Sequence, residues 1–303
     1  METPWGTLPV CDAHVHFFSH RFFAALAEQK QVGVEALEPL LAWQIPDPNP
    51  VHLADRWNQE LERWGVSRAV LMASVPGDQE SVIAAVTRHP QRFRGYMMVN
   101  PLSAYAPTQT ESALASGRMH GLCFFPAMHC YSMHDERVTA VLEVAAAHPG
   151  AVAFVHCGVL SVGVRAKLGL PSLFDMRYSN PIDLHAIALR YPGIRFVLPH
   201  FGAGYLREAL MLCDLCPNVW LDTSSSNSWV KYEEAALDLR SVFRRALGVV
   251  GPSRLLFGTD SSFFPRGWNN EVFQAQAKVL YELGLDEATA RLILYDNFVY
   301  LFG

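Results

Sequence analysis

Short apolar segments recur along the chain, each followed by a polar or aromatic turn and then by a helical pattern. Several of the segments are continuous apolar runs, which is typical of strands buried on both faces of a parallel sheet. The pattern predicts eight strands, Pro9–His16, Ala69–Val75, Arg94–Asn100, Gly121–Pro126, Ala151–His156, Ile194–His200, Asn218–Asp222 and Arg254–Asp260. Eight strands alternating with helices predict an α/β fold, a closed (β/α)₈ TIM barrel.

Two of the intervening helices carry clear start signals. Asp135 can cap a helix that runs on to Ala147. Asn180 is followed by Pro181, which suits the first helical position, and by Asp183, which places an acid in the first turn. Both signals predict helices directly after polar loops.

The chain of 303 residues is longer than a barrel needs, since about 250 residues are typical. The surplus falls in two segments, 17–64 and 157–180, which follow strands one and five. Barrel enzymes build their active sites at the carboxyl ends of strands, so we expect these insertions to form a lid or part of a dimer contact. No break in composition marks a second domain, and residues 1–303 are therefore predicted to form a single domain.

Composition and charge exclude several classes of protein. Half of the residues are hydrophobic and 17% are charged, which is ample material for a core. The formal net charge of −5 argues against a nucleic-acid partner. No apolar run is long enough to span a membrane, and the first residues lack a signal-peptide pattern. A cytoplasmic protein is the expectation.

The six cysteines are too sparse for a disulfide scaffold. Cys213 and Cys216 form a C-x-x-C pair within an apolar helical pattern. A zinc ribbon needs a second such pair, which does not follow. These two cysteines are therefore predicted to be core thiols.

The first strand carries two histidines, His14 and His16, in the sequence Asp12-Ala-His-Val-His16. Side chains of a strand alternate between its two faces, so both imidazoles point to the same side. Two imidazoles on one side of a strand form half of a metal site.

Three further polar residues stand at the ends of other strands: His156 on strand five, His200 on strand six and Asp260 on strand eight. In a barrel, these ends meet at one mouth. Imidazoles together with a carboxylate suit a borderline divalent ion such as Zn²⁺ and leave a position for water. Such an ion lowers the pKa of water from 15.7 toward about 7, and a neighbouring carboxylate can take its proton.

With these motifs, the chain resembles the amidohydrolase superfamily, specifically its mononuclear branch that is similar to aminocarboxymuconate-semialdehyde decarboxylase. The closing segment Asp296–Phe302 also looks like the last helix of that branch. The segments that carry the resemblance are Asp12–His16, Val99–Pro101, Phe154–Gly158, Ser179–Asp183, Pro199–Gly202 and Leu256–Asp260.

The resemblance implies a ligand set of His14, His16, His156 and Asp260 for one divalent ion, most simply zinc, with manganese, iron and cobalt left open. Asp260 would also act in catalysis, together with His200 as an electrophile or acid–base group outside the ligand set. Strand four ends without the lysine that bridges two metals in binuclear members, and no glutamate stands there. One metal is therefore expected.

Three residues are predicted to contact a small-molecule substrate. The turn Ala127–Tyr131 resembles the substrate-facing segment of the family, which nominates His129 and Tyr131. Arg266 follows Asp260 closely, and its guanidinium suits a substrate carboxylate. Loop packing for the first two, and a structural or solvent-exposed role for Arg266, remain the alternatives.

The first functional hypothesis is a metal-dependent hydrolase that acts on a lactone, ester or amide. The alternative is a metal-dependent, non-oxidative decarboxylase of a small carboxylated cyclic or aromatic-derived substrate, since the same branch contains such lyases. A metal-free lactonase or a non-catalytic barrel is the second alternative. The apolar insertions and the resemblance favour a homodimer over a monomer.

Overall fold

The structure is a computed structural model that describes residues 1–224, 227–232 and 237–303. Within these ranges, eight parallel strands form one sheet, in which each strand pairs with the next along the chain. The strands are β1 Cys11–Phe17, β2 Arg68–Ala73, β3 Phe93–Val99, β4 Met119–Phe124, β5 Val152–Val155, β6 Arg195–Leu198, β7 Val219–Asp222 and β8 Leu255–Leu256. A short antiparallel hairpin, Glu2–Thr3 and Gly6–Thr7, precedes them.

The seam between β8 and β1 closes the sheet into a barrel. The amide of Ala13 donates to the carbonyl of Phe257 at 2.9 Å, and the amide of His16 donates to the carbonyl of Ser261 at 2.7 Å. The predicted (β/α)₈ TIM barrel is therefore confirmed.

Helices follow each strand on the outside of the barrel. The α-helices are α1 His20–Lys30, α2 Leu37–Leu41, α3 Pro50–Trp64, α4 Gln79–Arg88, α5 Ala106–Ala115, α6 Pro126–His129, α7 Glu136–Ala146, α8 Gly163–Lys167, α9 His185–Arg190, α10 Leu206–Leu215, α11 Leu239–Val249, α12 Asn270–Glu282, α13 Glu287–Arg291 and α14 Asn297–Phe302. Short 3₁₀ turns include Met176–Tyr178, Pro181–Leu184 and Pro199–Gly202, and a π-helical turn, Leu292–Asp296, leads into α14. No helix in the described ranges has the length and apolar character needed to cross a membrane.

The helix-start signals act as predicted. The side chain of Asp135 accepts a hydrogen bond from the amide of Arg137 at the start of α7. Asn180 accepts from the amide of Ile182, with Pro181 at the first helical position. Here the first turn is 3₁₀, and the α-helix proper begins only at His185.

Four predicted strand ends lie too far along the chain. β2 stops at Ala73 rather than Val75, and β4 stops at Phe124 rather than Pro126. The strand before His200 stops at Leu198, and the one before Asp260 stops at Leu256. Both polar residues adopt left-handed backbone conformations, with φ of 55° for His200 and 58° for Asp260. Extended backbone ends earlier than predicted because the chain turns there to direct these side chains into the mouth.

The strands are buried on both faces, as their apolar sequences predict. The side chains that point inward fill the barrel interior, among them Ala13, Met72 and Phe154. Those that point outward, such as Val15 and Leu71, pack against the surrounding helices. The interior cluster continues into α14, which covers the lower end of the barrel, so only the upper mouth is left for a site.

The two insertions pack against each other through a hydrophobic cluster of their own. We call this unit, comprising α1, α2, α8 and the loops that adjoin them, the roof. Two polar contacts also join its halves: Lys30 Nζ donates to the carbonyl of Leu168 at 2.7 Å, and Arg165 donates to Oε1 of Gln29 at 2.7 Å. The buried cluster is formed by Phe22, Phe23, Leu26, Ala27, Leu37, Leu41, Trp43, Val164 and Leu168.

The cysteines form no disulfide, and all six are free thiols. Cys213 and Cys216 are buried in the apolar core along and just after α10. They behave as packing residues, as predicted.

Candidate metal centre and active site

Three of the predicted ligand residues meet at the upper mouth of the barrel. Nε2 of His14 lies 3.4 Å from Nε2 of His16. Oδ1 of Asp260 lies 3.6 Å from the first of these nitrogens and 3.3 Å from the second. Among the described residues, these three form a group whose ligand atoms lie within 4.8 Å of one another.

A second residue holds the far side of each imidazole. Nδ1 of His14 lies 2.6 Å from Oδ2 of Asp222, at the end of β7. Nδ1 of His16 lies 3.1 Å from Oγ of Ser74, whose hydroxyl donates to the carbonyl of Met72. A carboxylate, or a hydroxyl that already donates its proton, can only accept. Both Nδ1 atoms therefore carry a proton, and both Nε2 atoms present lone pairs.

The residues present fit a divalent metal ion. Two imidazole lone pairs and a carboxylate oxygen at such short distances repel one another unless a cation lies among them. Imidazole and carboxylate donors together are the set that zinc and other borderline ions prefer. A carboxylate or hydroxyl behind the ligating imidazole is also the usual arrangement at metal sites.

Close approach of three chain segments positions Asp260. Its amide donates to the carbonyl of His14 at 3.0 Å, across the β8–β1 seam. A Cβ atom on Gly258 would lie 2.8 Å from Oδ1 of Asp222 and 2.9 Å from Cβ of His14. Only glycine fits at this position, and this allows the turn to carry Asp260 over the histidines.

The electrostatics of the centre match this donor set. Burial alone would raise the pKa of Asp260, but when Nε2 of the adjacent histidines is protonated, a hydrogen bond from His16 and the positive charge of His14 hold it well below its ordinary value. Burial would lower the pKa of His14, whereas the carboxylate of Asp222 brings it above its ordinary value. The site thus keeps an ionised carboxylate and attracts positive charge.

His200 lies beside the group of three, with its ring centroid 5.1 Å from that of His14. Its Nδ1 lies 3.0 Å from the carbonyl oxygen of Ser224, which can only accept, so Nδ1 carries the proton. Burial and the charge of His14 lower the pKa of His200. The ring is therefore neutral, and Nε2 is the atom with a free lone pair.

His156 also lies beside His200, with ring centroids 5.5 Å apart, and stacks on Phe125. Burial keeps its pKa well below the ordinary value, and its buried Nδ1 has no hydrogen-bond partner in the described part of the chain. His156 lies outside the group of three close ligand atoms. The structure thus brings three of the four predicted ligands together and places the fourth in the same cavity.

The candidate metal centre opens into a cavity of about 640 Å³, a size that suits a small molecule. Its walls come largely from the roof and are mostly apolar. Phe18 stacks on Phe22 with centroids 4.0 Å apart, and Trp43 stacks on Phe263 at 3.9 Å. The aromatic side chains that line the cavity are Phe18, Phe22, Trp43, Phe125, Phe174, Trp229 and Phe263.

The residues predicted to contact substrate have different positions. His129 lines the cavity, burial lowers its pKa to about 4, and its Nδ1 lacks a hydrogen-bond partner among the described residues. Tyr131 is buried beside it and does not line the cavity. Arg266 is also outside the cavity lining, since its guanidinium packs over Phe263 and donates to the carbonyl of Asp260.

Sequence reasoning missed the residues that hold the imidazoles. Asp222, Ser74 and Ser224 all lie at, or just after, the carboxyl end of a strand. That position was the available signal, because polar residues there face the mouth of a barrel. Asp222 in particular ends a predicted strand, but it was assigned no role.

A family model described as amidohydrolase matches residues 11–303. The barrel, the histidine pair on β1 and the aspartate after β8 agree with that match. The chain therefore belongs to the amidohydrolase family.

A curated relative covers only part of the chain. This relative is protein FluG of Emericella nidulans, which is 38% identical to this chain over 87 residues, or 29% of the chain. The match spans only 10% of the length of FluG.

Solved structures of similar fold cover nearly the whole chain. An uncharacterised TIM-barrel protein, Bb4693 of Bordetella bronchiseptica, superposes with a TM-score of 0.65 at 17% identity and covers 97% of this chain and 98% of its own. A probable 2-pyrone-4,6-dicarboxylic acid hydrolase of Acinetobacter baumannii, with citric acid bound, has a TM-score of 0.60 at 14% identity, and the match covers 98% of this chain and 100% of that one. A 5-carboxyvanillate decarboxylase of Novosphingobium aromaticivorans, with bound manganese, has a TM-score of 0.62 at 13% identity, and the match covers 99% of this chain and 98% of that one. At these identities the likeness shows the fold alone.

Proposed function

We propose that this protein is a metal-dependent hydrolase that opens a small carboxylated lactone, ester or amide. The observation that carries the proposal is the convergence of His14, His16 and Asp260, with the lone pairs of both histidines turned toward the carboxylate. One divalent ion, most simply zinc, is the proposed cofactor. His156, in the same cavity, is the proposed fourth ligand.

When bound, such an ion supplies Lewis acidity and lowers the pKa of water. Asp260 is the proposed proton acceptor, since its carboxylate is ionised and faces the histidine pair. His200 offers Nε2 as a second site for the proton, because Nδ1 is committed to Ser224. A proton taken by Asp260 can thus pass to the leaving group through His200.

The charges along the cavity favour an anionic substrate. Among the described residues that line it, Asp260 is the one carboxylate, and Arg165 and Lys167 are the cations. Arg165 donates to the carbonyl of Pro171 and to Gln29, and Lys167 lies over the ring of Trp43, 5.3 Å from its centroid. Since these partners are uncharged, the two positive charges remain available for a substrate carboxylate.

The same cations favour a second candidate, a non-oxidative decarboxylase. Such an enzyme must bind a carboxylated substrate and deliver a proton to carbon. The neutral ring of His200 and the carboxylate of Asp260 offer sites for that proton. Two proteins of similar fold divide in the same way, one a probable hydrolase of a pyrone dicarboxylate and the other a decarboxylase of carboxyvanillate.

The test compares zinc-loaded and chelated protein on a panel of lactones, aryl esters, amides and carboxylated phenols. Acid release by pH-stat reports hydrolysis, and trapped CO₂ reports decarboxylation. We expect acid release that is lost on chelation and restored by zinc. Metal-dependent CO₂ release without hydrolysis would assign the second candidate. Activity that survives chelation and the His16→Ala substitution would point to a metal-free lactonase.

A further inference from the structure

Asp12 is a fully buried carboxylate that stands two residues before the first histidine of the metal centre. Its Oδ1 accepts from the amides of His14 at 2.9 Å and Thr259 at 3.1 Å. Its Oδ2 accepts from the hydroxyl of Thr259 and from Nε1 of Trp268, the latter at 2.7 Å. Every accepting position therefore faces a donor, and the donors come from both sides of the β8–β1 seam.

These contacts hold the residues on either side of Asp260. Thr259 precedes it and makes two of the four hydrogen bonds to Asp12. The Thr259 hydroxyl also lies 2.6 Å from the hydroxyl of Ser261, which follows Asp260 and accepts from the amide of Asn269. Both neighbours of Asp260 are thus tied to a network that ends on one carboxylate.

Three backbone hydrogen bonds also cross the seam, from the amides of Ala13, His16 and Asp260 to the carbonyls of Phe257, Ser261 and His14. Regular pairing of β8 with β7 is limited to Leu255 and Leu256, so no strand ladder holds the turn that follows. Asp260, four residues further on, holds a left-handed backbone conformation that few residues other than glycine adopt. A backbone of this kind persists only where its surroundings determine it, and the hydrogen bonds to Asp12 add side-chain contacts to the backbone bonds of the seam.

We propose that Asp12 is a positioning residue that sets the spacing between His14 and Asp260 and thereby the affinity for the metal ion. The inference rests on the proposed metal site. Asp12 itself is not a ligand, because all of its oxygen positions are occupied by donors from the seam. A charged acceptor makes stronger hydrogen bonds than a neutral one, which suits a clamp that carries strain.

The Asp12→Asn variant tests this assignment with almost no change of shape. One carboxylate oxygen becomes an amide NH₂, which meets a donor of Thr259 or Trp268 and cannot accept from it. We expect the dissociation constant for zinc, measured by competition with a chromophoric chelator, to rise 10- to 100-fold, as is usual when a residue behind the ligands is lost. In the metal-free protein, amide hydrogen exchange of the peptide spanning 257–262 should accelerate.

Asp78→Asn is the matched control. Asp78 is also a buried aspartate, which accepts from the hydroxyls of Ser19 and Ser81 and pairs with Arg21, and it has no hydrogen bond or ion pair to the described residues of the seam. We expect this variant to lower the melting temperature while zinc affinity and exchange in 257–262 stay at wild-type values.

A second pair of variants covers the case in which Asp12→Asn does not fold. Thr259→Ser keeps the hydroxyl that donates to Asp12, and Thr259→Val removes it. Zinc affinity should be near the wild-type value in the first and weakened in the second. Wild-type zinc affinity in both Asp12→Asn and Thr259→Val would overturn the inference, as would wild-type rates of hydrogen exchange in 257–262 of the metal-free Asp12→Asn variant. If the wild-type protein binds no zinc, the proposed function is contradicted. The exchange measurement then still shows whether Asp12 positions the segment 257–262.

Discussion

Oδ2 of Asp222 lies 2.6 Å from Nδ1 of His14, and this contact joins the end of β7 to the histidine pair on β1. Because the carboxylate accepts the Nδ1 proton, Nε2 of His14 is left with its lone pair toward His16 and Asp260. Asp222 therefore decides which atom of His14 is offered to a metal ion. The hydroxyl of Ser224 lies 2.8 Å from the same Nδ1 and accepts alongside it.

Replacement of Asp222 by Asn should weaken metal binding. The amide is a poorer acceptor, so His14 becomes less basic and its tautomer less firmly set. We expect the zinc dissociation constant to rise 10- to 100-fold, measured by chelator competition, with the secondary structure unchanged by circular dichroism. A wild-type constant in this variant would mean that the contact does not tune the site.

Replacement of His16 by Ala should remove metal and activity while the barrel still folds. His16 supplies one of the three convergent ligand atoms, and its ring packs at the mouth rather than in the core. Plasma mass spectrometry of the purified variant should find far less than one ion per chain. Normal metal content together with normal turnover would contradict the ligand assignment.

Replacement of Asp260 by Asn should depress turnover by several orders of magnitude. The substitution removes the ionised oxygen that lies 3.3 Å from His16 and the proposed proton acceptor with it. The measurement is kcat on a substrate found in the panel, at saturating zinc, so that weakened metal binding is compensated. A loss of less than tenfold would show that Asp260 is not the proton acceptor.

Replacement of His200 by Asn should leave the metal in place and lower kcat. His200 lies outside the group of three close ligand atoms, and the free Nε2 is its only contribution to proton transfer. The metal content of this variant should therefore equal that of the wild type, while its kcat is lower. Stoichiometric loss of metal would instead add His200 to the ligand set.

Replacement of Lys167 by Met should raise KM for a carboxylated substrate and leave KM for its uncharged methyl ester or amide unchanged. Methionine keeps an unbranched side chain over Trp43, one heavy atom shorter than that of lysine, and removes the charge. Lys30→Met is the control, because Lys30 belongs to the roof and does not line the cavity. Equal changes of KM for the charged and the neutral compound would contradict an anionic substrate.

The fold and the centre of the site could be predicted from the sequence because both follow from position along strands. Apolar runs gave the eight strands, and the polar residues that end them gave His14, His16, His156, His200 and Asp260. Before Asp260 the strand ends earlier than the apolar pattern predicts. The pattern cannot reveal that end, because the turn depends on contacts from β1 and β7.

The walls of the cavity could not be predicted in the same way. The insertions 17–64 and 157–180 contain short helices whose apolar faces fit each other rather than the barrel. Their pairing depends on contacts across more than 100 positions, such as that between Lys30 and Leu168. The sequence nominated Arg266 because it follows Asp260 closely, but the pattern could not show that Lys167 lines the cavity and Arg266 does not.

Elemental analysis of the purified protein, before and after chelation, tests the central claim most directly. The geometry of His14, His16 and Asp260 predicts about one zinc or similar divalent ion per chain, removed by a strong chelator and regained on reconstitution. A protein that contains no metal, and takes up none when zinc, manganese, iron or cobalt is offered, would contradict the metal centre on which the proposed hydrolysis depends.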